Sequence, residues 1–307
     1  MPLLQINADG DVPRCEGGWG ALSATLAALP EGAPVIVMIH GFRFSPTVPG
    51  QSPHTHILSL EPVQDCWKAI SWPRHLGFGR DDSSQGLCIA FGWEARGTIW
   101  AAYAEAARAG AALAALMTRI DALRPGTRVE VLAHSLGARV TLQALAHLDR
   151  PILGRAVLMA AAEFRRPTEA ALATPAGRAA EFVNVTSREN DLFDFLIERL
   201  VPLFPDRALG QGTGRGSANW IDIQLDQTET LDALVPLGHR IPAPDLRICH
   251  WSLYLRPGVF GLYRALLRDH LPLATLRERL PQRPSRRWSR LFAPPRLGSI
   301  LPSGREA

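Results

Sequence analysis

Val129-Glu130-Val131-Leu132-Ala133-His134-Ser135-Leu136-Gly137 is the stretch that decides how this chain folds. A short apolar run leads into a serine, and a helical pattern follows from Arg139 to Leu148. A serine at a strand-to-helix junction, with small residues two before and two after it, is the layout of a nucleophile elbow. The turn is sharp, so larger side chains at those two places would meet backbone. Gly137 satisfies that demand. Ala133 stands where Gly is usual and satisfies it less freely. Ser135 is the expected nucleophile on this reading, provided that a strand does precede it and a helix does follow.

The surrounding pattern supplies both. Pro34 to Ile39 is a continuous apolar, β-branched run, as expected for a strand buried on both faces, and it ends in His40-Gly41-Phe42. Gly86 to Trp93 reads as a second buried strand. Ile99 to Leu123 carries one apolar helical face and is stopped by Pro125-Gly126. Beyond the elbow come a strand at 156–160, a helical stretch near 168–178, a strand at 181–185 and a helix near 192–200. Weaker strands are expected at 220–225 and 246–249, and a last core helix at about 259–269. Strands alternating with helices predict an α/β fold, with a mostly parallel sheet covered on both faces.

Two segments break the rhythm, at about 43–80 and 202–219. Both read as lid or cap excursions over the sheet. The second holds Gly210-Gln211-Gly212-Thr213-Gly214-Arg215-Gly216, which lacks the spacing of a phosphate-binding turn and reads as a flexible loop. One α/β domain is expected over 1–275, followed by an Arg/Pro-rich tail over 276–307.

Lys68 is the only lysine. Eight arginines and two glutamates fall between Arg277 and the end, so that segment carries +6 of a total of +4, and the body is slightly acidic. Arg277, Arg279, Arg283, Arg286, Arg287 and Arg290 alternate with prolines and with Trp288, Leu291 and Phe292. Such a segment can rest on an anionic membrane surface, although a solvated extension is the plainer reading. No motif points to nucleic acid. Cys15, Cys66, Cys88 and Cys249 are scattered without metal-ligand spacing. His54-x-His56 lacks further ligands and reads as a solvated loop, so no metal is expected. The start of the chain shows no leader pattern and no apolar stretch is long enough to span a bilayer, so the expected location is cytoplasmic.

A serine hydroxyl needs an imidazole to take its proton and a third group to orient that imidazole. In a sheet of this kind the order along the chain is serine, acid, histidine. Asp191, after strand 181–185, is the expected acid, with an N-cap role for the following helix as the alternative. Glu163 and Asp194 are alternative acids. His250, at the end of the run 246–249, is the expected base, and His239 is the alternative. His270 closes a charged helix end and is unremarkable. His134 reads as support beside the serine. The backbone N–H groups of Phe42 and Leu136 are placed to form an oxyanion hole. Gly41 lets the chain turn out of the sheet, and His40 would orient that turn by hydrogen bonding.

The strand end His40-Gly41-Phe42, the strand end Phe91-Gly92-Trp93 before a long helix, and Ala133-His134-Ser135-Leu136-Gly137 together resemble the α/β-hydrolase superfamily. Within it the chain is most similar to bacterial alpha/beta hydrolases of poorly defined function. The resemblance covers about residues 1–272. It implies an eight-stranded, mostly parallel sheet and ester chemistry at serine. A serine mechanism of this kind needs no metal or organic cofactor, and a small-molecule ester is the expected partner. An acyltransferase or thioesterase would use the same triad on a thioester. A hydrolase-fold protein that binds without turnover is the alternative from another class.

Overall fold

Alternate residues of each central strand enter two different cores. Val35, Val37 and Ile39 face one cluster together with Val129, Val131 and Ala133, while Ile36, Met38 and Leu132 face a second. All of them are fully buried, as the unbroken apolar runs predict. The computed structural model describes residues 3–63, 66–79, 85–202, 204–214, 216–281 and 283–292.

The strands are β1 Leu3–Asp9, β2 Val12–Cys15, β3 Val35–Ile39, β4 Leu87–Gly92, β5 Val129–His134, β6 Leu153–Met159, β7 Glu181–Thr186 and β8 Trp220–Gln224. They form one 8-stranded sheet in the order β2-β1-β4-β3-β5-β6-β7-β8. Only β2 runs antiparallel to its neighbour. The helices are α1 Trp19–Ala28, α2 Trp72–His75, α3 Ile99–Leu123, α4 Leu136–Ala144, α5 Arg165–Leu172, α6 Pro175–Ala179, α7 Asp191–Leu200, α8 Thr228–Leu234, α9 Ser252–Leu255, α10 Val259–Leu267 and α11 Leu273–Arg279. The first core is closed by α1, α3, α4, α5 and α6, and the second by α2, α8, α9, α10 and α11. This is the α/β-hydrolase architecture expected from the alternating pattern.

The long helix α3 begins and ends where its pattern predicts. Thr98 caps it by accepting the Ala101 N–H at 3.2 Å. Among the described residues no helix is long and apolar enough to cross a membrane.

Several elements differ from expectation. The β1–β2 hairpin and α1 form from a segment without a strong apolar run. The β1 burial is only partial along most of its length, which is why its periodicity is weak. No strand forms at 246–249; Leu246 and Ile248 stay exposed, and Cys249 donates its N–H to the Glu189 carbonyl at 3.0 Å. The helical stretch near 168–178 is two helices, α5 and α6, because Pro175 restarts the chain under a Thr174 cap. The excursion 43–80 is no detached cap: its Ile57, Leu58, Trp72 and Phe78 are buried in the second core.

The expected boundary after residue 275 falls inside α11, whose Leu276 is fully buried. The following segment packs back on the body as far as Leu291, whose carbonyl accepts from Arg247 at 3.1 Å, and Phe292 is exposed. Arg287 pairs with Glu198 at 2.6 Å, Trp288 packs edge-on against Phe195 at 5.7 Å, and Ser285 N–H donates to Gln224 at 2.8 Å. The remainder of the expected tail, 293–307, lies outside the described residues.

Candidate active site

Strand β5 delivers Ser135 into α4 with a backbone that L-residues rarely adopt, φ 56° and ψ −123°. A non-glycine held there costs of order 1–3 kcal/mol, so the surroundings must impose it. Three backbone bonds do. The Ser135 N–H donates to the Met159 carbonyl at 2.9 Å, and the Ser135 carbonyl accepts from Ala138 and Ala162, both at 3.0 Å. Gly137 is required by close approach: a Cβ there would lie 2.6 Å from the Ile39 carbonyl oxygen and 2.7 Å from that of His40. A Cβ on Gly41 would lie 2.7 Å from the Ser135 Cβ and 3.2 Å from its Oγ. So the His40-Gly41-Phe42 turn crosses directly over the serine. Ala133, at the first elbow position, points its methyl into the first core instead of into the turn.

Among the described residues the N–H groups of Phe42 and Leu136 find no acceptor. Leu136 opens α4, so its N–H is one of the donors that a helix leaves free. His40 braces the turn. Its Nδ1 meets the Gly41 carbonyl at 2.9 Å, and its Nε2 accepts the Trp93 N–H at 3.1 Å. The Trp93 indole N–H donates back to the His40 carbonyl at 3.0 Å, and the two rings stack 5.5 Å apart. Burial lowers the His40 pKa to about 3, so the ring stays neutral, as one donor and one acceptor require. Trp93 was legible in the sequence only as the end of a strand.

His250 reaches this place from the irregular segment before α9. The His134 ring, beside the serine, meets the His250 carbonyl through Nε2 at 3.0 Å, and the two rings lie 4.6 Å apart. Burial holds His134 at about 4, so it is a neutral brace. Phe193 of α7 stacks on His250 at 4.6 Å. Desolvation first, then the closeness of the His134 ring and the Lys68 charge, push the His250 pKa well below its ordinary value. No hydrogen bond joins Ser135 Oγ to His250 among the described residues.

The group on His250 Nδ1 is not a carboxylate. It is the Asn190 Oδ1, at 2.6 Å. The Asn190 Nδ2 in turn donates to Asp194 Oδ1 at 2.9 Å. Asp191, the expected acid, faces elsewhere: its Oδ1 accepts from Arg188 at 3.0 Å and its Oδ2 from the Trp288 N–H at 2.6 Å. The reason is helical geometry. Consecutive residues at a helix start diverge by about 100°, whereas residues four apart share a face. Asn190 and Asp194 are such a pair. Burial, then the neighbouring Asp191 charge, raise the Asp194 pKa to about 7.

Glu163, a further candidate acid, is engaged elsewhere. It accepts from Tyr103 at 2.5 Å, Arg139 at 2.6 Å and the Phe164 N–H at 2.9 Å, and so ties α3 to α4. His239, the second candidate base, lies against α10 near Asp269, and His270 sits with Glu130 and Arg155 at the opposite end of the sheet. His54 is buried, not solvated, with its Nε2 on Asn7 Oδ1 at 2.7 Å. No group of three or more potential metal ligands forms among the described residues. The glycine-rich run is pinned through its carbonyls, by Arg165 on Gly212 at 2.6 Å and by Arg188 on Gly210 at 2.9 Å.

Sheet, elbow and crossing turn define an α/β-hydrolase fold with a candidate serine nucleophile. Residues 25–152 match a family described as "Alpha/beta hydrolase of unknown function (DUF900)". That span covers β3 to the elbow helix α4, including His40 and Ser135, and stops before Asn190 and His250. A solved structure titled acetylxylan esterase aligns with 81% of this chain and 100% of its own, at 12% identity and a TM-score of 0.35. No curated protein matches.

Proposed function

We propose that the protein is a serine hydrolase of carboxylic esters. The observation that carries this reading is Ser135, held at positive φ beneath the Gly41 turn and flanked by two N–H groups that find no acceptor among the described residues. His250 takes the Ser135 proton at Nε2 while Oγ attacks the acyl carbon. The Phe42 and Leu136 amides hold the oxyanion; losing one such donor typically costs about 10²–10³ in rate. The ester C–O bond breaks, and the alcohol leaves with the proton from His250. Water, deprotonated by the same ring, then releases the acid.

Asn190 replaces the expected Asp191 as the group that orients the ring. Its Oδ1 accepts from His250 Nδ1–H, which leaves Nε2 as the base. The ionised Asp194 can only accept, so it holds the Asn190 amide with Nδ2 outward and Oδ1 on the histidine. An asparagine serves this orienting role in papain-like proteases as well. Catalytic hydrogen bonds commonly tighten only with substrate bound, which accommodates the open Ser135–His250 gap.

A second reading, binding without turnover, is favoured by that same gap and by the neutral Asn190. The test is hydrolysis of a panel of p-nitrophenyl esters by wild type and Ser135→Ala. Hydrolysis that disappears in the variant supports the first reading. Equal rates, or none in either, reject it.

A further inference from the structure

Lys68 lies beside the candidate base, and it is the only lysine in the chain. Its ammonium is 3.4 Å from the centroid of the Trp251 ring and 5.4 Å from that of Trp67. Those two rings meet edge-on at 5.9 Å. Trp251 directly follows His250, with the rings 6.0 Å apart, and Phe193 lies against both, at 4.6 Å and 6.2 Å. The aromatic faces fix the cation without neutralising it. Among the described residues the Lys68 ammonium makes no ion pair and no hydrogen bond.

The surroundings of His250 make this charge consequential. β5 presents His134, held neutral. The segment after β7 presents Asn190, neutral, and α7 presents Phe193, with Asp194 one amide further back. The excursion after α1 and β3 presents Lys68. Of the ionisable groups acting on the ring His134 is neutral, so Lys68 is the one that opposes a positive charge there. Yet each transfer of the Ser135 proton creates an imidazolium. A carboxylate on Nδ1 would offset that charge, and this site has none.

We propose that the site takes esters carrying their own anionic group, a carboxylate or phosphate, which binds the Lys68 ammonium on the Trp251 face. The substrate then supplies the negative charge that Asn190 does not. The inference rests on the serine-hydrolase reading of Ser135. It deepens that reading by naming the class of ester.

The test compares kcat/KM for matched pairs of esters. p-Nitrophenyl hemiglutarate against p-nitrophenyl pentanoate places the anion on the acyl side. p-Carboxyphenyl pentanoate against phenyl pentanoate places it on the leaving group. In at least one pair, wild type is expected to favour the anionic member by about tenfold, as one well-placed ion pair provides. The preference shrinks between about 0.01 M and about 1 M salt as the screening length falls. In Lys68→Met the anionic ester slows by about the same factor, whereas the neutral ester speeds up, because a cation has been removed from beside the imidazolium. Lys68→Arg retains the preference, and Lys68→Gln repeats the loss if the Met variant does not fold.

Ser135-dependent hydrolysis with no anionic preference in either pair, or a preference that survives in Lys68→Met, overturns this inference alone. No Ser135-dependent hydrolysis of any ester overturns the serine reading, and this inference with it.

Discussion

Asn190→Ala separates the two candidates for the orienting group most sharply, with Asp191→Asn as its counterpart. The alanine removes the acceptor on His250 Nδ1, at 2.6 Å, and the donor to Asp194, at 2.9 Å. The imidazole is then free to turn and to place its proton on Nε2, where it cannot act as a base. Positioned general bases contribute about 10²–10⁴ in rate, and outright loss of the right tautomer has cost a serine protease about 10⁴. A fall in kcat/KM of about 10²–10³ is expected, because Phe193 still stacks on the ring. The stability cost is a buried carboxylate without its donor, about 1–3 kcal/mol. Asp194 limits that cost by taking up a proton.

Asp191→Asn works the other way. Asp191 and Arg188 are both buried and form an ion pair at 3.0 Å. Removing one partner of such a pair costs about 3–5 kcal/mol. A large drop in Tm is therefore expected, with kcat/KM close to wild type wherever the variant is folded. Initial rates on p-nitrophenyl esters, measured beside thermal unfolding, give both quantities. If Asp191→Asn loses the greater share of kcat/KM and Asn190→Ala stays near wild type, the reasoning from hydrogen bonds is wrong.

Asp194 makes the rate depend on pH in a definite direction. With its pKa raised to about 7, the carboxyl ionises as pH rises through neutrality, and only the ionised form must receive the Asn190 Nδ2. Wild-type kcat/KM should climb through about 7, and Asp194→Asn should lack that step; an unchanged profile would reject the role. Arg188 and Arg287 favour the ionised form and Asp191 and Glu198 oppose it, so the step belongs to the whole cluster. The same shift, upward from 3.8, means that the stability contributed by this carboxyl is complete at acid pH and is lost as pH rises through about 7, to be read as a decline in unfolding free energy that Asp194→Asn lacks.

Gly137→Ala would force a methyl within 2.7 Å of two strand-end carbonyls. Overpacking of this sort costs about 1–3 kcal/mol, so a lower Tm and a lower kcat are expected, and wild-type values for both would contradict the close approach. Truncation after Leu280 removes the Trp288 N–H from Asp191 and Arg287 from Glu198, so Tm should fall. With Arg287 and Arg290 turned onto the body, the full chain should not sediment with anionic vesicles.

The central strands were legible because they are buried on both faces, so β3 is apolar throughout and β5 is apolar except at Glu130 and His134. The elbow was legible because its backbone tolerates few residue types. The hairpin β1–β2 was not, since a partly exposed edge of the sheet places weaker demands on composition. Segment 246–249 was misread because an apolar run can lie half-exposed around a site mouth as well as inside a sheet. The orienting residue was missed through an assumption about chemistry: a carboxylate was sought, and Asp191 stood at the right point of the chain. The pair Asn190 and Asp194, four apart at the start of a helix, carried the signal. Its meaning depended on where the His250 ring lies, which only the folded chain settles.

The central claim is that Ser135 is an activated nucleophile. Intact-mass measurement after exposure to a fluorophosphonate, followed by peptide mapping, tests it most directly. One adduct per chain on the peptide containing Ser135, absent in Ser135→Ala, is the expected result. No adduct on the folded wild type, or an adduct that persists in Ser135→Ala, would contradict it.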